Sequence, residues 1–233
     1  MFDVDFAEVA QRLLVQMIPF LMAIVFHEFG HALVAKRYGD NTAEELGRLT
    51  LNPIPHLDPI GTVLFPMINM IAKFPLLFGW ARPVPINYKK LKPYRRGLFL
   101  VSLAGPATNI VLAFFAACLL EIFKMVATPE FYLYEPLRGM AETAVIINLA
   151  LAVFNLLPLP PLDGSKMIEA FLTMEQVRKF ERLQTVSFFV LIALLWTGGL
   201  GMILNTPVFT LRACFLIFWR IVFLKLGLPV ALN

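Results

Sequence analysis

Apolar residues run along this chain in long blocks rather than alternating with polar ones, and six blocks stand out: about 13–35, 60–78, 98–125, 143–157, 188–204 and 208–226. A hydrocarbon core of about 30 Å needs about 20 apolar residues in a helix, so most of these blocks predict membrane-spanning helices. The first is interrupted only by Gln16 and by the polar group His27, Glu28 and His31, and it ends at Lys36 and Arg37. The second is a poor straight helix, because Pro66 and Pro75 break it and it carries Asn69 and Lys73. It reads as a re-entrant or broken segment. The third contains Gly105-Pro106-Ala107-Thr108-Asn109, and the fourth runs into Pro158, Pro160 and Pro161 before Asp163-Gly164.

Composition moves the reading away from any soluble class. The chain is 59% hydrophobic and 15% charged, where a soluble domain carries roughly 25% charged residues, and its mean hydropathy is +0.75. The fold class that follows is an all-α integral membrane protein of about five to six transmembrane helices. A three-helix core, one re-entrant or broken apolar segment and room for a short β-hairpin complete it. Residues 1–233 read as a single polytopic domain, with a core over about 10–172 and C-terminal helices over about 185–226. Asp3, Asp5 and Glu8 give the N-terminus the wrong charge for a secretory leader. Cys118 and Cys214 sit singly in apolar stretches and read as packing residues.

Charge then sets orientation. The net charge of +4 comes from short loops between apolar blocks, which suits anionic lipid headgroups rather than nucleic acid. Arg82, Lys89, Lys90, Lys92, Arg95 and Arg96 fall in one stretch without an acid, so that loop is expected on the cytoplasmic side. The acidic N-terminus and the turn over 127–139 belong outside, and both flanks of 60–78 belong inside, so that segment is expected to dip into the membrane and return.

Chemistry enters with His27-Glu28-Phe29-Gly30-His31. Four residues of helix bring the two imidazoles onto one face a turn apart, where they can hold one metal ion between them. Glu28 projects beside that ion and can accept a proton from water. Three ionisable groups within one turn of an apolar span point to function, because each is costly there. A catalytic zinc site takes three protein ligands, and Asp163, after the proline break, is the candidate for the third. The same residue could instead cap the helix that follows it. His56, in a proline-bent loop, is the rival ligand.

These residues resemble the site-2 protease family of intramembrane metalloproteases. His27 through His31 is similar to its first motif, Gly105 through Asn109 to its GxxxN element, and Asn155 through Gly164 to its NxxPxxPxxDG element. Residues 51–61 and 79–85 look like the small bacterial and archaeal branch without PDZ or CBS domains. The resemblance implies one zinc ion held by His27, His31 and Asp163, with Glu28 as general base and Asn155 near the substrate carbonyl. It further implies single-span membrane proteins as substrates and a multi-pass place in a prokaryotic cell membrane, with the active site nearer the cytoplasmic side. Residues 79–87, rich in proline and β-formers, are expected to offer a strand for substrate to pair with. Oligomeric state is left open.

Overall fold

The computed structural model describes residues 6–71, 80–127 and 130–229. Nine α-helices follow one another in that part of the chain: α1 (Phe6–Arg37), α2 (Thr42–Glu45), α3 (Phe65–Ile71), α4 (Tyr94–Val126), α5 (Tyr134–Asn155), α6 (Asp163–Glu169), α7 (Met174–Glu181), α8 (Gln184–Trp196) and α9 (Gly199–Lys225). The all-α reading holds. Among the described residues, four stretches are long and apolar enough to cross a membrane, namely Leu13–Arg37, Tyr94–Val126, Tyr134–Asn155 and Gly199–Lys225. That is fewer than the five to six spans the apolar blocks suggest, for two physical reasons.

The first lies at the C-terminal end. The blocks 188–204 and 208–226 place a break near Pro207, but α9 runs straight through that proline. The break falls instead at Gly198, whose φ of 74° no side chain adopts easily, leaving α8 only 13 residues long. Proline is tolerated inside membrane helices because neighbouring groups satisfy the freed carbonyl.

The second is the 60–78 segment. Asp58 accepts hydrogen bonds from Ile60 N–H at 3.0 Å and Gly61 N–H at 2.7 Å, opening a wide helical turn over Pro59–Leu64 that leads into α3. Residues 72–79 of the segment lie outside the described residues. Its two ends nevertheless meet: Trp80 N–H donates to Gly61 O at 3.0 Å, and the Thr62 hydroxyl donates to Trp80 O at 2.8 Å. A side chain on Gly61 would occupy the Trp80 indole. Gly61 and Trp80, which flank the segment, are therefore held together.

Helices α1, α4 and α5 pack on one another, with α6 against α4 and with α9 against α4 and α5. Small side chains make the close approach possible, since lipid is as apolar as the helices and gives no hydrophobic drive for association. Ala113, Ala117, Val145, Leu149 and Val208 form one such core. A Cβ on Gly30 would lie 3.0 Å from Ala104 O and 2.5 Å from the Thr108 hydroxyl, so α1 and α4 meet there nearly backbone to backbone. Leu14, Val111, Phe115, Leu119, Phe218 and Ile221 stay exposed, as a lipid-facing surface requires. Glu121 is buried on α4 and pairs with Lys124 at 3.2 Å and with Arg220 of α9 at 3.1 Å.

Among the described residues there is no strand, and the expected β-hairpin is absent. Residues 80–87 run without regular structure, and the reason is chemical. Pro83 and Pro85 have no N–H, while the N–H groups of Trp80, Arg82, Val84 and Asn87 are all bonded internally, to Gly61 O, His56 O, Glu28 and Asp40. Few donors remain for a partner strand.

Candidate metal centre

The centre is assembled from two helices and a helix start. On α1, His27 and His31 lie one turn apart, with their Nε2 atoms 3.1 Å from each other. The third corner comes from the far end of α5. Pro158, Pro160 and Pro161 prevent α5 from continuing past Asn155, and the chain turns so tightly that a Cβ on Gly164 would strike the carbonyls of Leu156 and Leu157. This turn delivers Asp163 as the first residue of α6. Its Oδ2 lies 3.1 Å from His27 Nε2 and 3.2 Å from His31 Nε2. The alternative role as a cap is not taken, since α6 begins from Leu162 without a side-chain cap.

Hydrogen bonds fix which nitrogen of each ring faces the centre. His31 Nδ1–H donates to Val101 O at 2.7 Å, and His27 Nδ1–H donates to Asn109 Oδ1 at 2.6 Å. The amide orientation behind the second bond is itself determined. Asn109 Nδ2 donates to Ala23 O at 3.0 Å and to Asn148 Oδ1 at 2.8 Å, and Asn148 Nδ2 donates to Ala144 O at 2.8 Å. Both ends of this relay are backbone carbonyls, which only accept, so every amide in it has one permitted orientation. Each neutral imidazole therefore keeps its proton on Nδ1 and turns a bare Nε2 inward.

Two nitrogen lone pairs and a carboxylate oxygen thus converge in buried surroundings, and Asp163 Oδ2 has no other partner. All three atoms are acceptors, so a cation among them would relieve their mutual repulsion. Zinc fits the triangle. With ligand bonds of ~2.0–2.1 Å and tetrahedral angles, zinc sets its ligands about 3.3 Å apart, close to the 3.1–3.2 Å found between these atoms. Imidazole nitrogen and carboxylate oxygen also match the donors zinc accepts. Among the described residues, His27, His31 and Asp163 form the group able to hold a metal ion.

Gly105 makes room for that ion. A Cβ there would lie 2.6 Å from His27 Nε2 and would also collide with His31 Nε2, so α4 can pass the imidazoles only as glycine.

Glu28 follows His27 on α1 and is held from the loop over 80–87. Its Oε2 accepts a hydrogen bond from Val84 N–H at 2.7 Å, which leaves the second oxygen uncommitted. Asn155 is the last residue of α5, and its side chain donates to Leu151 O at 3.0 Å in its own helix. It lies eight positions before Asp163 but touches none of the three ligand atoms. His56 is not brought to the centre. It is fully buried in the loop after α2, where its Nε2–H donates to Thr50 O at 3.0 Å. Asn109, Asn148 and Val84 were not foreseen in these roles. The two amides had a signal, as lone carboxamides inside apolar helices, whereas Val84 had none.

Beside the centre, a cavity of about 490 Å³ is lined by Ile86, Tyr88, Tyr94, Leu98, Lys166 and Glu169, among others. Burial, reinforced by the carboxylates of Asp163, Glu169 and Glu28, pushes the Tyr88 hydroxyl up to about 12. It remains a donor at neutral pH.

Residues 134–198 match the profile of Peptidase family M50. The chain is 39% identical over 181 residues to YwhC of Bacillus subtilis, named as a candidate zinc metalloprotease, covering 77% of this chain and 79% of that one. It is 34% identical over 182 residues to Rip2 of Mycolicibacterium smegmatis, similarly named, covering 78% and 66%. A third relative of the same description, MJ0611 of Methanocaldococcus jannaschii, is 34% identical over 145 residues, covering 62% and 64%. No solved structure gives a significant match.

Proposed function

The chain belongs to peptidase family M50 and is a zinc metalloprotease with helices suited to a membrane, and from that premise we propose that it cuts other membrane proteins within or beside their transmembrane segments. The observation that carries this reading is the place of the ligand triangle. His27 and His31 lie inside α1, a stretch long and apolar enough to span, and are shielded by α4 and α5. A centre so placed meets substrate in the bilayer.

In this reading one zinc ion is held by His27, His31 and Asp163. Bound there, zinc supplies a Lewis acid that polarises the scissile carbonyl and makes water acidic enough to attack at neutral pH. The protein supplies the rest. Glu28, fixed through one oxygen by Val84 N–H, takes the proton from the attacking water on the other and returns it to the leaving amine. Asn109 and Val101 O hold the imidazoles in the tautomer that leaves Nε2 free, and Asn109 in turn leans on Asn148. Asn155, the last residue of α5, takes the role of oxyanion donor in this reading, releasing its bond to Leu151 O to do so.

Substrate is a single-span membrane protein whose helix unwinds locally, because an intact helix in lipid keeps its peptide bonds covered by internal hydrogen bonds. The cavity beside Tyr88 is lined in part by Pro85, Asn87, Lys89 and Tyr94 of the basic loop over 82–96. By the positive-inside tendency that loop lies on the cytoplasmic face, which gives water and products a route. The test is cleavage of single-span substrates by the purified protein in liposomes. The parent protein cuts, and Glu28→Gln abolishes cutting while zinc stays bound. Near-normal turnover by Glu28→Gln overturns the mechanism.

A further inference from the structure

We propose that Arg48 is a positioning residue for Glu28, acting through the backbone of residues 82–84. The inference rests on the reading of Glu28 as general base.

His27 and His31 are held by groups of helix α4, whereas Glu28 is held by a loop. The N–H that fixes its Oε2 belongs to Val84, 56 positions away in sequence. That N–H is only as well placed as the loop that carries it. Two residues earlier the loop is anchored by Arg82 N–H, which donates to His56 O at 2.9 Å. Between the two anchors stands Pro83, which has no N–H to contribute. Only carbonyls are left to hold this stretch. Arg48 takes both of them, its Nη2 donating to Arg82 O at 2.8 Å and reaching Pro83 O at 3.3 Å.

The line of force is therefore Arg48, the peptide at Arg82 and Pro83, Val84 N–H, then the Glu28 carboxylate. A single Nη2 carries two N–H donors and so can serve both consecutive carbonyls. The environment of Arg48 agrees. Burial and the neighbouring Arg82 pull the Arg48 pKa down, while the charge of Glu28 opposes them, so the guanidinium lies within the field of the base. On the far side Val84 packs against Ala32 of α1 and Ala43 of α2, which stops the segment sliding along the helix.

A misplacement of about 1 Å at a reacting group costs about 100-fold in rate. Arg48→Gln should therefore lower kcat by about 10- to 100-fold with KM, zinc content and melting temperature close to those of the parent, and Arg48→Lys should recover part of the loss. Val84→Pro removes the N–H at the end of the line. If Arg48 acts through it, the double variant Arg48→Gln/Val84→Pro falls no further than Val84→Pro alone. Four results would overturn the proposal: Arg48→Gln within twofold of the parent, loss of zinc together with activity, additive losses in the double variant, or a raised KM with kcat unchanged. Glu28→Gln, assayed beside these, keeps the two readings apart. If it retains turnover, the base assignment itself fails, whereas an inactive Glu28→Gln with a fully active Arg48→Gln removes only the clamp.

Discussion

Replacing Asn109 with alanine tests the relay behind the metal centre without touching a ligand. The substitution strips the acceptor from His27 Nδ1–H, bonded at 2.6 Å, and the donors from Ala23 O at 3.0 Å and Asn148 Oδ1 at 2.8 Å. His27 is then free to rotate or to exchange tautomers, either of which removes its Nε2 lone pair from the triangle. Groups in this outer position typically contribute 10–100-fold to metal affinity, which is ~1.4–2.7 kcal/mol. The fold suffers separately. Each buried group left unsatisfied costs about 1–3 kcal/mol, so three of them should lower stability by at least ~3 kcal/mol. Competition against a chromophoric zinc chelator, run on purified parent and variant, reads the affinity. Thermal unfolding of the metal-free proteins reads the stability. Asn148→Ala, one step further out, should weaken zinc less than Asn109→Ala. An Asn109→Ala protein that binds zinc as tightly as the parent would refute the reasoning, because the imidazole would then need no partner.

Two further outcomes follow from packing and from topology. Gly105→Ala should lose zinc more severely than a single methyl suggests, since its Cβ would lie 2.6 Å from His27 Nε2 and meet His31 Nε2 as well; chelator competition checks it, and unchanged affinity contradicts the close approach of α4. Single cysteines at Asn52 and at Lys90, in a background with Cys118 and Cys214 replaced, should respond identically to a membrane-impermeant thiol reagent in intact cells, because Gly61 and Trp80, which flank the apolar segment between them, are held together. Labelling of one alone would show a crossing.

How much was readable beforehand differs from residue to residue. The pairing of His27 with His31 is legible because helix periodicity alone puts them together. Asp163 is legible because three prolines and a glycine force a turn that leaves a carboxylate at a helix start. The partners of the imidazoles are not legible in the same way. Which face of α4 meets His27 is decided by how closely the backbones approach at Gly30 and Gly105, and that is a property of the packed pair. Arg48 and Val84 lie in loops without periodicity, and a hydrogen bond from Val84 N–H leaves no trace in side-chain identity. The misplaced break near Pro207 has a simpler origin. Proline stops helices in water more strongly than in a bundle surrounded by lipid, where the left-handed Gly198 decides instead.

X-ray absorption at the zinc edge of the purified protein tests the central claim most directly. The chain contains three histidines and two cysteines, so the shell around the metal separates the alternatives by count. The account predicts one zinc per chain bound by two imidazoles and oxygen donors. A third imidazole, lost on His56→Ala, or any sulfur neighbour would contradict a centre built from His27, His31 and Asp163.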